Sequence, residues 1–136
     1  MARGGFMLDT NTVSALVRRP HPRLDERFRA VQPALLCISA ITEGELRFGL
    51  AKRPFAIRLA RTVNAFIEGI DVQPFDSTAA TRYGDLRAAL EAAGTPLAYL
   101  DTLIAAHALT EEAVLVTHDG AFSRVPGLIV EDWLAA

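Results

Sequence analysis

The chain has 136 residues, 51% of them apolar and 22% charged, which suits one globular domain with a real core and excludes intrinsic disorder. No apolar run approaches the roughly 20 residues that cross a bilayer, and the Met1–Asp9 segment, with one Arg and a very short apolar stretch, is unlike a secretory leader. The single cysteine, Cys37, excludes a disulfide framework and a multi-cysteine zinc site, so a cytoplasmic setting is expected. A formal charge of −2 argues against a nucleic-acid binder. Yet of the 14 cations only Lys52 is lysine, and the arginine fork suits phosphate. A GC-rich genome gives the same bias, so net charge leaves the matter open.

In chain order, Phe6-Met7-Leu8 predicts a short buried strand ending at Asp9. Thr10 to Arg19 predicts a helix with polar caps at its start and Pro20 as its stop. A second short helix is expected over about 22–31. Ala34-Leu35-Leu36-Cys37-Ile38 is a continuous apolar strand candidate, and Ser39 can cap a helix through about Leu50. Pro54 is expected to open a helix ending near Gly69, and Asp71 to Phe75 to form a strand. Asp76 or Ser77 would cap a long helix ending at Gly94. Leu100 to Leu109 is almost wholly apolar, hence a buried helix. Ala113–Thr117 and Leu128–Val130 supply the last two strands. Apolar strands alternating with helices indicate a central parallel β-sheet flanked by helices, a three-layer α/β domain. No repeat, low-complexity tract or linker divides residues 1–136.

Ligands of open α/β sheets bind outside the carboxyl ends of the strands. Two acids fall there: Asp9 after the first strand and Asp119 beyond Thr117. Each also has a structural reading, Asp9 as an Asx turn or helix cap and Asp119 as half of an Asp-Gly turn. In the helix after Ser39, Glu43 and Glu45 lie on nearly opposite faces. Glu43 is placed to pair with Arg47. Glu45 shares its face with Ile41 and Phe48 and is expected to point toward the core, where an unpaired carboxylate costs about several kcal/mol. Asp101 lines up with Ile104, Ala105 and Ala108 in the most apolar helix, either as a first-turn acid favoured by the dipole or as a carboxylate at the lip of a pocket. Four converging acids would repel one another and raise each other's pKa values, and a divalent cation relieves this. All-oxygen ligands suit Mg²⁺ or Mn²⁺. His21, His107 and His118 lack zinc-ligand spacing. Such an ion activates water against a phosphodiester without a side-chain nucleophile.

Several blocks of residues resemble the VapC-type PIN-domain toxins of bacterial toxin–antitoxin pairs. They are Met7-Leu8-Asp9-Thr10-Asn11, Ser39 through Gly49, Asp101 through Leu109, and Val116-Thr117-His118-Asp119, with Phe122 through Leu128 and Glu131-Asp132-Trp133 at the end. They occur in family order and span nearly the whole chain. The resemblance implies a PIN-like fold and a metal site of Asp9, Glu45, Asp101 and Asp119, lined by Thr10 or Asn11 and Thr117. It also implies Mg²⁺- or Mn²⁺-dependent endonucleolytic cleavage of RNA, often tRNA or rRNA. The implied partners are a second copy in a homodimer and a cognate VapB-like antitoxin, through which alone operator DNA would be met. The 55–67 helix is a candidate dimer face. Two departures stand out. Ala98 replaces a frequent Gly before the third acid, and Glu111-Glu112 occupy a loop where Gly is frequent.

Among other residues, His107 is expected as a packed or rim residue, and Trp133 with Leu134 as an anchored tail. Tyr83, Leu86 and Leu90 have ordinary core spacing. His118 stands beside Asp119, and Arg18 and Arg19 suit either the helix dipole or RNA phosphates. Rival functions are a non-catalytic PIN-like partner of a DNA-binding antitoxin, a housekeeping RNA-processing nuclease, and an aspartyl phosphatase of the haloacid dehalogenase type. For the phosphatase, Leu8-Asp9-Thr10-Asn11-Thr12 approaches the signature but has Asn11 in place of the second Asp.

Overall fold

The computed structural model describes residues 5–135, so the Met1–Asp9 leader question falls partly outside the described residues. Five parallel strands form one sheet in the order β3-β2-β1-β4-β5: β1 (Phe6–Leu8), β2 (Leu36–Ser39), β3 (Asp71–Gln73), β4 (Val114–Val116) and β5 (Val130–Glu131). The helices are α1 (Thr10–Arg18), α2 (Pro22–Ala30), α3 (Ala40–Ala51), α4 (Ile57–Gly69), α5 (Ser77–Ala92) and α6 (Tyr99–Glu111). No helix among the described residues is long and apolar enough to cross a membrane.

Successive strand residues point to opposite faces, and both faces are buried, which explains the unbroken apolar runs. Met7, Cys37 and Leu115 pack with Leu86, Leu90, Ile104 and Phe122 under α5 and α6. Leu8, Ile38 and Val116 pack on the other face with Val13, Leu24, Val63, Ile67 and Trp133, under α1, α2 and α4. α3 joins both layers, sending Ile41 to the first cluster and Leu46 to the second. The chain enters β1 through Gly5, whose φ is +48° and where a Cβ would stand 2.3 Å from the Leu35 carbonyl oxygen, so only glycine fits.

Several boundaries differ from expectation: α5 ends at Ala92 and not Gly94, α6 runs on to Glu111, and β5 begins at Val130 and not Leu128. Residues 33–35 form a 3-10 turn and β2 begins at Leu36, where pairing with Phe6 starts. Pro54 lies in a turn closed by Ala56 N–H to Arg53 O and Ile57 N–H to Phe55 O, and α4 opens only at Ile57. β3 stops at Gln73, because Pro74 has no amide to extend a ladder.

Candidate active site

The chain builds β1, β2 and β3 outward in one direction, then returns to lay β4 and β5 on the other side of β1. The order therefore reverses between β1 and β4, the switch point where open α/β sheets leave a crevice. Asp9 follows β1 directly and is 3% exposed. Its amide donates to the Val116 carbonyl of β4 at 3.0 Å, and its Oδ1 accepts from Thr12 N–H at 2.8 Å, capping α1. The Thr12 hydroxyl donates to the same Val116 carbonyl at 3.1 Å, pinning the first turn of α1 to β4. The capping reading of Asp9 is the one seen, with Oδ1 as the capping oxygen.

Asp119 lies three residues beyond β4 and is exposed. Its amide donates to Thr117 Oγ1 at 3.0 Å, and its Oδ1 accepts from Ala121 N–H at 2.9 Å, opening the 3-10 turn of Gly120–Arg124. Glu45 is half-buried on α3, where Thr10 donates its hydroxyl to Oε1 at 2.5 Å. Thr42 Oγ1 stands 3.3 Å from Thr10 Oγ1. Since the single Thr10 proton goes to the carboxylate, the Thr42 hydroxyl donates to Thr10. Asp101 is half-buried in the first turn of α6. Its pKa is raised first by burial, then by the charges of Asp119, Glu45 and Asp9. Asp119, Glu45 and Asp9 are thus the charges that act on Asp101.

Glu45 was expected to share the core face with Phe48, and here the structure differs. Phe48 is 63% exposed, with Lys52 Nζ 4.8 Å from its ring centroid. The buried residues of α3 are Thr42 and Leu46, so Glu45 flanks that stripe at the rim of the crevice. Glu43 does pair with Arg47 at the surface, at 2.8 Å. Of the expected lining residues, Thr10 and Thr117 each bond an acid, whereas Asn11 is exposed and no hydrogen bond joins it to one. Sequence reasoning passed over Thr42, although its place three residues before Glu45 on one helix face is a legible signal.

Among the described residues no three His, Cys, Asp or Glu side chains close around a point able to hold an ion by themselves. The donors are all oxygen, which fits a hard divalent cation that keeps several waters and takes one or two carboxylates, and does not fit zinc. The histidines serve elsewhere. His118 Nδ1 is 2.7 Å from Asp132 Oδ2, and His107 is buried against Ser39. Burial, followed by Asp71 and Glu111, pushes the Cys37 thiol up to about 12, leaving it inert as a nucleophile. The two departures at Ala98 and Glu112 fall at the ends of α6. Ala98 is its N-cap, and Glu112 holds its C-cap in the left-handed region at φ 55°, a position that favours glycine.

The five-stranded parallel sheet with its switch point between β1 and β4 is accompanied by a family match: residues 6–128 match the PIN domain family. The tRNA(fMet)-specific endonuclease VapC of Salmonella typhimurium is 38% identical over 129 residues, covering 94% of this chain and 97% of that protein. Ribonuclease VapC2 of Rickettsia felis is 32% identical over 130 residues, with 94% and 97% covered. The DNA-bound VapBC structure from Salmonella typhimurium superposes with a TM-score of 0.89 at 37% identity, covering 98% of this chain and 99% of the matched one. This chain belongs to the VapC ribonucleases of the PIN-domain family.

Proposed function

We propose that this protein is the endoribonuclease toxin of a toxin–antitoxin pair in the cytoplasm, cleaving tRNA phosphodiester bonds with Mg²⁺ or Mn²⁺ held by Asp9, Glu45, Asp101 and Asp119. The observation that supports this is the placement of Asp9 and Asp119 after adjacent strands and of Glu45 and Asp101 on helices, with Asp119, Glu45 and Asp9 all acting on the charge of Asp101. The tRNA class is taken from the relative of 38% identity, a tRNA(fMet)-specific endonuclease. When bound, the ion supplies an activated water and offsets charge developing on the phosphate.

The chain's own part is positioning. Asp9 is fixed by its cap to α1, Glu45 by the hydroxyl of Thr10, and Asp119 by Thr117 through the backbone amide. Asp101, the acid with the raised pKa, presents a carboxylate whose charge is costly until a cation or phosphate-bound metal arrives. Hydroxyl and amide donors hold the acids without neutralising them, which keeps the site attractive to a cation.

Solved relatives are VapBC complexes, some bound to DNA, which supports a VapB-like antitoxin as the partner, with operator DNA met only through it. We assign the antitoxin to the groove between α1, α2 and α4, where Leu16, Val17, Phe28, Ala65 and Phe66 form an apolar floor and Asp25, Arg29 and Thr62 line the rest. A homodimer is also proposed. The expected apolar dimer face at 55–67 has Phe55 and Ile57 exposed at its start, with Phe48 exposed on α3.

The test is cleavage of a total small-RNA pool by antitoxin-free protein, with Mg²⁺ or Mn²⁺ and with chelator. Discrete fragments should appear only with metal. They should vanish in Asp9→Ala and Glu45→Gln and persist in Glu43→Gln. Cleavage that survives chelation or the loss of Glu45 would remove the metal-site assignment. Folded wild type that cuts no RNA in the pool and binds no Mn²⁺ would favour a non-catalytic partner.

A further inference from the structure

His107 is wholly buried in the middle of α6, and its Nδ1 lies 2.7 Å from Ser39 Oγ, 68 residues away in sequence. Ser39 ends β2 and caps α3, its Oγ accepting Ile41 N–H at 3.0 Å. That acceptance leaves the serine proton free to donate to Nδ1, which requires a neutral imidazole. Burial favours that form, against the opposing charges of Glu111 on α6 and Asp76 at the head of α5 and the backbone carbonyl of Pro74. The Phe75 ring meets the imidazole edge-on at 5.3 Å. Nε2 makes no hydrogen bond of good geometry among the described residues, and the Pro74 carbonyl is the acceptor that acts on the ring.

A leucine would fill such a place without bringing two polar atoms into the core, and that departure from an apolar core calls for a function. The other buried residues of α6 are Ile104, Ala105, Ala106, Ala108 and Thr102, mostly small side chains that set its register weakly, and the Thr102 hydroxyl donates within the helix to the Ala98 carbonyl. A directional hydrogen bond supplies what the alanines do not. It also sits at a telling junction. Asp101 precedes His107 by six residues and Glu45 follows Ser39 by six, so each acid lies about 9 Å of helix from the bond.

We infer that His107 is a positioning residue for the acid crevice, fixing α6 against the N-terminus of α3 through Ser39 and so setting the separation of Glu45 and Asp101. This rests on the metal-site reading above, but its structural half can be measured apart from it. Crystal structures of His107→Leu and His107→Asn give the Glu45–Asp101 carboxylate separation. Asparagine can restore a polar atom near the Nδ1 position. The separation should change by about 1 Å or more in the leucine variant and stay at the wild-type value in the asparagine variant. Kinetics on cleaved RNA should show kcat lowered about tenfold or more in His107→Leu with KM within about threefold, and near-wild-type kcat in His107→Asn. Wild-type kcat and an unchanged separation in folded His107→Leu would overturn the inference. Should His107→Leu not fold, Ser39→Ala against Ser39→Thr repeats both measurements with the same two outcomes. If wild type itself cleaves nothing and binds no Mn²⁺, the metal-site reading fails, while the carboxylate separation still decides the role of His107.

Discussion

Replacing Asp101 with Asn should stabilise the metal-free protein while destroying the proposed activity. The Asp101 carboxyl is half-buried, and its pKa is raised first by burial and then by Asp119, Glu45 and Asp9. Its place in the first turn of α6 works the other way, since a first-turn acid gains about 0.3–1 kcal/mol from the helix dipole. The raised pKa means that the unfavourable side prevails. A like-charge neighbour at a hydrated site costs about 0.2–0.5 kcal/mol, and water on the open side keeps each pair toward the low end. Three neighbours and partial burial, less the dipole, leave about 1 kcal/mol to be relieved, or about 3–6 °C in Tm for a chain of this size. The sign with pH follows from the direction of the shift. A folded-state pKa above the unfolded one carries no penalty below the unfolded value, about 3.9, and stability is lost as pH rises through the folded value. The difference between variant and wild type should therefore be full at about pH 7.5 and small near about pH 4. Scanning calorimetry in chelator at both pH values reads it. Saturating Mn²⁺ should reverse the order, because a ligand at about 100 times its Kd adds about 2.7 kcal/mol to the protein that binds it. A variant Tm at or below wild type in chelator at neutral pH would refute the view that these carboxylates repel one another across one crevice.

Asp9 separates capping from chemistry: Asp9→Asn should keep the cap to Thr12 and hence the stability, Asp9→Ala should lose about 1 kcal/mol in urea melts, and neither should cleave RNA. Ala65→Glu, on the exposed wall of the α1–α2–α4 groove, should weaken antitoxin binding about tenfold or more by calorimetry and leave Tm and RNA cleavage at wild-type values. The depressed pKa of buried His107 makes the unfolded chain the better proton acceptor below the ordinary histidine range, about 6.5, so Tm should fall as pH is lowered through that region. His107→Asn should lack that component of the fall.

The sheet and its acid-bearing ends were legible because they rest on strong local signals. Continuous apolar triplets such as Phe6-Met7-Leu8 and Val114-Leu115-Val116 are buried on both faces, and the first polar residues after them fall at the carboxyl edge. The orientation of Glu45 was less legible. Helical spacing shows that Ile41, Glu45 and Phe48 share a side, but it does not say whether that side meets the core. α3 spans the seam between two layers, so Ile41 is partly covered while Phe48 meets Lys52 and water. Pro54 misled for a related reason: a fixed φ suits the first position of a helix and the second position of a turn equally. The Thr42–Thr10–Glu45 chain and the His107–Ser39 bond lay beyond local reading. Each joins residues more than 30 apart whose proximity is decided by strand order alone.

The buried polar residues of this domain explain how an acid crevice can be built without disarming it. Among the described residues, apart from Asp9 and His107, they are all hydroxyls: Thr12, Ser39, Thr42, Thr102 and Thr117. An arginine or lysine among the acids would stabilise the empty site far better than a threonine, but it would also occupy the place of a cation and cancel the field that draws one in. Hydroxyls satisfy individual lone pairs and fix rotamers while leaving the net charge of the acids intact. Thr12 ties α1 to β4, Ser39 ties α3 to α6, and Thr10 with Thr42 ties α1 to α3, so three neutral links cross-brace the elements that carry the four carboxylates. The remaining repulsion is carried by the fold as a whole, which is why its relief at Asp101 should show as stability, and why the ion that relieves it should bind without reordering the elements around it.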